Sequence, residues 1–229
     1  MANSDREKTS ASQINREIVL YYSPGACSLA VHIVLEELDL PYELKLISVS
    51  EKETSRPEFL KINPKGRVPV LRVGDTLLTE APAILVHVAN MKPASGLFPA
   101  EPLDSFRCLE WLNWLSSTVH AVGYGQLWRP ERFTNDSAQF EDIVGKGSEN
   151  IADAYRHIEK ILTGRVWSVG ESYSCADPFL LVFYLWGSAI GFAMQDDYPG
   201  WSAHAARVLS RDAVRRAMEQ EGLTAPSGA

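Results

Sequence analysis

Two rhythms of apolar positions divide this chain. Up to residue 91, short apolar runs alternate with helical spacing; beyond residue 103, helical spacing alone remains. Ile18-Val19-Leu20-Tyr21 is a compact apolar run and predicts a buried strand over Ile18–Tyr22. Leu29, Ala30, Ile33, Val34 and Leu38 recur at helical spacing and predict a helix over Ser28–Leu38. Tyr42, Leu44 and Leu46 alternate and predict a second strand within Tyr42–Val49. A short helix or turn is expected over Pro57–Ile62. Val68–Val73 and Thr76–Leu78 flank Gly74-Asp75, a hairpin signal. Ala81–Asn90 reads as a helix with Pro82 in its first turn, where proline is tolerated. The order is βαβ-α-ββα. The crossover requires a parallel pair and the hairpin an antiparallel one, so a mixed four-stranded sheet is expected.

Residues 92–103 are rich in proline and glycine and read as a linker. The second half reads as all-α. Phe106, Leu109, Leu112 and Leu115 mark a helix over Phe106–Val119, and Ile151 to Leu162 marks an amphipathic one. Ser174 and Asp177 have the spacing of a capping box opening the apolar stretch Pro178–Met194. That stretch is short for a membrane span and is interrupted by Gly187 and Gly191, so a helix buried on all sides is expected. Two further helices lie near Trp201–Leu209 and Arg211–Gln220. The resulting division is a polar flexible tail at 1–16, an α/β domain at 17–91, the linker, and a helical domain at 104–229.

Composition narrows the function. A net charge of −7 argues against nucleic acid and gives no support for a basic membrane surface. The three cysteines, Cys27, Cys108 and Cys175, show no metal-type spacing, so no metal is expected. Their sparse, odd number fits a reducing compartment, the cytoplasm. Residues 1–16 lack the apolar core of a signal peptide.

Three segments carry candidate chemistry. In Tyr22-Ser23-Pro24-Gly25-Ala26-Cys27-Ser28, a lone thiol and nearby hydroxyls sit where a strand turns into a helix N-terminus. Free N–H groups and the helix dipole favour a thiolate there; a small packing residue after a turn is the plainer reading. In Asn63-Pro64-Lys65-Gly66-Arg67-Val68-Pro69, a proline opens a strand, and its peptide bond is either trans or cis. A cis bond would leave the Val68 backbone free to pair with an extended ligand. In Leu78-Thr79-Glu80-Ala81-Pro82, a carboxylate stands at a helix start. It is either a favourable first-turn acid or a partner for an ammonium group. Elsewhere, His120 is either an interhelical hydrogen-bonding residue or a site residue. Cys108, Cys175 and the pair Trp111/Trp114 read as packing, with one tryptophan ring a candidate for an acceptor pocket. His32 is expected on the exposed or dimer-facing side of the first helix.

The order YxxPGACS, NPKGxVPxL, LTExxAI, linker and SxAD resembles the cytosolic glutathione transferases, closest in look to the bacterial beta class, over roughly residues 18–222. The resemblance implies a thioredoxin-like domain binding glutathione as co-substrate. It also implies an all-α domain supplying a pocket for a small apolar electrophile, and a homodimer. It assigns Cys27, Tyr22 and Ser28 to the neighbourhood of the glutathione sulfur, and Val68 with Pro69 to backbone pairing with the cysteinyl part. Glu80 and Ala81 fall at the γ-glutamyl end, Lys52 near the glycine carboxylate, and Asn113 and His120 on the helical side. Ala81 replaces a frequent serine and Ala121 a frequent lysine, so a hydroxyl donor and a positive charge are expected to be missing. Conjugation is the implied reaction. Monothiol transfer through Cys27, or binding without turnover, are the alternatives; Pro24 and Ala30 leave no partner cysteine three positions from Cys27.

Overall fold

The computed structural model describes residues 17–225, so the tail expected at 1–16 lies outside the described residues. The first domain is β1 (Ile18–Tyr22), α1 (Ser28–Glu37), β2 (Glu43–Leu46), α2 (Pro57–Leu60), β3 (Val70–Val73), β4 (Thr76–Thr79) and α3 (Ala81–Ala89). The sheet order is β2-β1-β3-β4. β1 pairs parallel with β2 and antiparallel with β3, and β3 antiparallel with β4. This is the mixed sheet that the sequence order requires.

Alternation along β1 separates two faces. Ile18, Leu20 and Tyr22 join Leu71 in the main core with α1 and α3, while Val19 and Tyr21 pack with Phe59 of α2 and Val70. Leu20 and Leu71 are fully buried, each contributing about 1.5–3 kcal/mol. α1 is buried from Ser28 to Leu35, because helices of the second domain cover the side that the sheet leaves open.

The second domain is helical throughout. α4 (Pro102–Trp114) begins four residues before the predicted start. Pro102 takes the first turn, and the Glu101 carboxylate accepts the Asp104 N–H at 2.8 Å. The helix then continues as a ten-residue π-helical stretch, Leu115–Tyr124, into α5 (Gly125–Trp128). α6 (Phe140–Leu162) extends well beyond its apolar stripe on the N-terminal side. Its first half packs through small residues instead: a Cβ on Gly147 would lie 2.8 Å from the Leu127 nitrogen, and one on Gly123 2.9 Å from Ile151. Close backbone approach, not apolar periodicity, holds those two helices together.

α7 (Ala176–Ala189) is the buried apolar helix, with short α8 (Met194–Asp197), α9 (Pro199–Leu209) and α10 (Asp212–Gln220) after it. The capping box forms with Asp177 at its centre. Asp177 Oδ2 accepts the Ser174 N–H at 2.7 Å and the Ser174 hydroxyl at 3.1 Å; Oδ1 accepts the Ser168 N–H at 2.9 Å and His204 Nε2–H at 2.7 Å. Burial alone would raise this carboxyl, but His204 and the two N–H donors outweigh it and hold Asp177 below the usual carboxylate range. No helix among the described residues is long and apolar enough to cross a membrane.

The expected exposure of His32 is wrong. α10 packs on α1, and His32 is fully buried between them. Its Nδ1 meets Glu221 Oε1 at 2.9 Å, and its Nε2 lies 2.9 Å from the Tyr42 hydroxyl. Phe106 departs the other way: it is 67% exposed although it continues the stripe of Leu112 and Leu115.

Candidate functional site

A cleft of about 480 Å³ lies between the two domains. One wall is built from the three N-terminal segments singled out in sequence: Cys27, Asn63 with Arg67–Pro69, and Glu80 with Ala81. The other wall is the π-helical stretch, with Ser116, His120, Ala121 and Tyr124, and the segment beyond it, with Trp128, Arg129, Arg132 and Phe133. A π-helix widens the turn and commonly marks functional positions. Here it brings side chains four and five apart onto one lining face.

The Cys27 turn is clamped from both sides by the helical domain. Glu221 Oε2 accepts the Gly25 N–H at 2.9 Å, and Trp186 Nε1–H donates to the Gly25 carbonyl at 2.7 Å. Within the turn, the Ser28 hydroxyl donates to the Ser23 carbonyl at 3.1 Å and lies 3.2 Å from the Ser23 N–H. Ser28 is fully buried by this and does not line the cleft. Tyr22 also stays outside the cleft, its ring 6.1 Å from that of His32. Burial and the Glu221 charge raise its phenol above the ordinary range. Of the three side chains expected around a reacting sulfur, only Cys27 lines the cleft, because its neighbours are committed to the fold behind it.

Cys27 Sγ lies 3.6 Å from the Val68 carbonyl, which accepts its S–H. The helix N-terminus does not make it a thiolate. Burial pushes the thiol up to about 12 and Glu80 adds to the rise; the N–H groups of Cys27 and Ser28, and Arg67, offset only part. The sequence expectation of a stabilised Cys27 thiolate fails because desolvation exceeds the dipole effect. At neutral pH Cys27 is a protonated donor.

The Val68-Pro69 bond is cis. Val68 precedes β3, and its N–H has no partner among the described residues. Asn63, nearly fully buried, shapes the approach: its amide donates to the Arg67 carbonyl at 2.7 Å and its side-chain oxygen accepts the Lys65 N–H at 3.2 Å. Glu80 has φ +73°, a region that L-residues avoid at a cost of about 1–3 kcal/mol, and strain of this kind clusters at binding sites. Its carboxylate holds Lys65 Nζ at 2.6 Å, with Thr79 Oγ1 also on the ammonium at 2.9 Å. The site already shows what Glu80 does with an ammonium group.

Other expected residues fall elsewhere. Lys52 sits exposed in the loop after β2 and does not reach the cleft; Arg67 is the cation beside Cys27. Asn113 does not line the cleft but a groove between α3 and α4 that adjoins it at Glu80, Ser116 and Ser117, and its amide donates to the Leu109 carbonyl at 2.8 Å. Trp111 and Trp114 border a different cavity with His157, so neither ring serves this cleft. His120 does line it, 4.9 Å from the Trp186 ring. Burial pushes His120 down to about 4, and Arg67, Arg132 and Arg129 push the same way, so it is neutral near pH 7. Ala121 brings no charge to the cleft, but Arg67, Arg129 and Arg132 line it. Only their convergence in space reveals them; no local motif marks Arg129 or Arg132.

The chain matches the glutathione S-transferase N-terminal domain family over residues 17–90 and the glutathione S-transferase C-terminal domain family over residues 130–212. It is 30% identical over 207 residues to glutathione S-transferase GstA of Escherichia coli, covering 89% of this chain and 98% of that one. A glutathione transferase homologue from Sulfitobacter, solved with bound glutathione, superimposes with a TM-score of 0.85 at 33% identity, covering 91% of this chain and 99% of that one. The bacterial beta class glutathione S-transferase of Sphingomonas chungbukensis gives 0.78 at 31%, with 90% and 100% covered. The chain belongs to the cytosolic glutathione S-transferase family, with a thioredoxin-like domain followed by an all-α domain.

Proposed function

We propose that the cleft binds glutathione and conjugates its sulfur to a small electrophile with an apolar body. The observation that carries this reading is the single wall on which Cys27, the unpaired Val68 N–H and Glu80 stand together. A tripeptide thiol needs those three contacts in that order. Val68 would pair with the cysteinyl backbone as an added strand. The Ala81 N–H at the start of α3 would take the γ-glutamyl carboxylate, and Glu80 its ammonium. Lys65 occupies Glu80 in the free protein, but both side chains are about half exposed, and such a pair is weak enough to yield.

Cys27, protonated, would donate its S–H to the glutathione sulfur and favour its thiolate, the glutathione proton passing to solvent. That thiolate attacks the electrophilic carbon, forms the carbon–sulfur bond, and the leaving group departs with its electron pair. Trp128 and Phe133, each nearly half exposed in the cleft, offer an apolar aromatic surface for the second substrate. Monothiol transfer would instead need Cys27 as a thiolate, which a thiol near 12 supplies in roughly one molecule in a hundred thousand at neutral pH.

Glutathione titration and an aryl halide conjugation assay test the reading. Replacing Glu80 by Gln should raise KM for glutathione about tenfold with a smaller change in kcat, since one charge-assisted contact is weakened. Wild-type protein that neither binds glutathione nor conjugates it would refute the proposal.

Two further assignments rest on the same reading. A second copy of the chain would cover the groove between α3 and α4, where Pro82, Val86 and Leu109 lie and where α4 also exposes Leu103 and Phe106. Light scattering decides between dimer and monomer. The sparse, odd set of three cysteines supports a reducing, cytoplasmic setting.

A further inference from the structure

The second substrate's charge is legible in the cleft. Most arginines among the described residues pair with a carboxylate, as Arg56 does with Glu53, Arg211 with Glu37 and Arg216 with Glu36. Arg165, which lines another cavity, and Arg207, which donates to the Arg165 and Val166 carbonyls, do not; nor do Arg67, Arg129 and Arg132. None of these last three has a side-chain partner among the described residues, yet all three line one cleft in a chain of net charge −7. They act on one another: Arg129 and Arg67 both disfavour the charge on Arg132, beyond the cost of its partial burial. Glu131, the neighbouring carboxylate, favours the Arg132 charge but ranks below both arginines, so the cluster is under-compensated, and gathered like charges are unfavourable unless a further anion joins them. Glu80, the carboxylate in the same cleft, is already engaged by Lys65.

The arginines are not equivalent. Arg67 precedes Val68 and acts on Cys27, so it lies on the glutathione side. Arg129 and Arg132 belong to the helical wall and flank the aromatic surface of Trp128 and Phe133. An apolar ring on that surface would carry its substituents toward two guanidinium groups, which match a carboxylate in shape and charge.

We infer that Arg129 and Arg132 select an anionic aromatic electrophile, a flat ring bearing a carboxylate, over its neutral counterpart. This rests on the conjugation reading and narrows it. Chemically, the carboxylate takes no part in bond making; it orients the ring so that the electrophilic carbon faces the glutathione sulfur.

The test compares a chlorodinitrobenzoate with its neutral methyl ester, each rate normalised to the uncatalysed reaction with glutathione. Wild type should prefer the acid in kcat/KM by about tenfold or more, the effect of one charge-assisted contact, and the preference should shrink as salt rises. Arg129→Ala and Arg132→Ala should each reduce the acid-to-ester ratio several-fold. Arg132→Lys should restore part of it, which a purely structural role would not do. A wild type that treats acid and ester alike overturns the inference. So do variants whose ratio is unchanged, or whose loss falls on KM for glutathione, because the arginines would then serve the tripeptide. Should wild type turn over neither compound, the conjugation reading fails separately. Tryptophan fluorescence titration with the two preformed glutathione conjugates then decides: tighter binding of the acid conjugate, lost in the alanine variants, supports the inference, and equal binding rejects it.

Discussion

Replacing Asp177 by Asn should lower the unfolding free energy by about 3 kcal/mol, a large effect for a single isosteric change. Asparagine keeps the shape but carries one acceptor oxygen where aspartate carries two. Asp177 Oδ1 serves Ser168 and His204, and Oδ2 serves Ser174 twice. An amide nitrogen at either position would face these donors instead of accepting from them, inside a fully buried site. Urea unfolding measures the loss; a change under about 1 kcal/mol would show that these bonds are not what anchors α7. The pH dependence has a definite sign. The folded carboxyl titrates below its ordinary value, so its stabilisation is complete above the unfolded value of about 3.9 and is lost as pH falls through the lower folded value. Wild type should therefore lose stability across that acid window, and Asp177→Asn should lose less there.

Replacing Glu221 by Ala should reduce kcat/KM by about tenfold or more while also destabilising the protein by about 3 kcal/mol. Glu221 is buried just beyond α10, with one oxygen on His32 and the other on the Gly25 N–H. Removing it leaves a buried imidazole and a backbone N–H without that acceptor. It also frees the turn that places Cys27, and a small displacement of a reacting group is costly. Steady-state kinetics well below the melting temperature separates the two effects. Glu221→Gln, which keeps one acceptor, should fall between wild type and Ala in both. Full activity in a destabilised Glu221→Ala protein would show that the clamp serves folding alone.

Glu80 and Glu221 differ in how readable they are from sequence. Glu80, Val68 and Cys27 stand in short segments whose local signals, a helix start, a strand-opening proline and a turn, each point to a shape. Those segments meet because β1, β3 and β4, which leads into α3, lie side by side in one sheet. Glu221 has no such signal. It comes after the last helix as an ordinary charged residue, and only the packing of α10 on α1 buries it beside His32. The same contact removes His32 from the surface where helical spacing alone would put it. The arginines escape notice for a related reason: Arg67 belongs to one domain and Arg129 and Arg132 to the other, so their meeting is a property of the domain interface. The first half of α6 is illegible because close packing through glycines leaves no apolar stripe, and the π-helical stretch is legible only as far as Val119, where the helix predicted from apolar spacing ends. The Cys27 turn is legible in place but not in electrostatics, since burial depth cannot be read from a helix N-terminus.

On the proposed mechanism, a protonated Cys27 donates to the sulfur of bound glutathione. The direct measurement is the ultraviolet absorbance of the glutathione thiolate, titrated with pH in the complex, for wild type and Cys27→Ala. Cys27 itself stays protonated throughout the neutral range, so the signal belongs to the tripeptide. The thiol of bound glutathione should ionise below its value in free solution in wild type, and about one pH unit higher in Cys27→Ala, the equivalent of one hydrogen bond. An identical titration in the two proteins, or no thiolate signal in wild type, would contradict it.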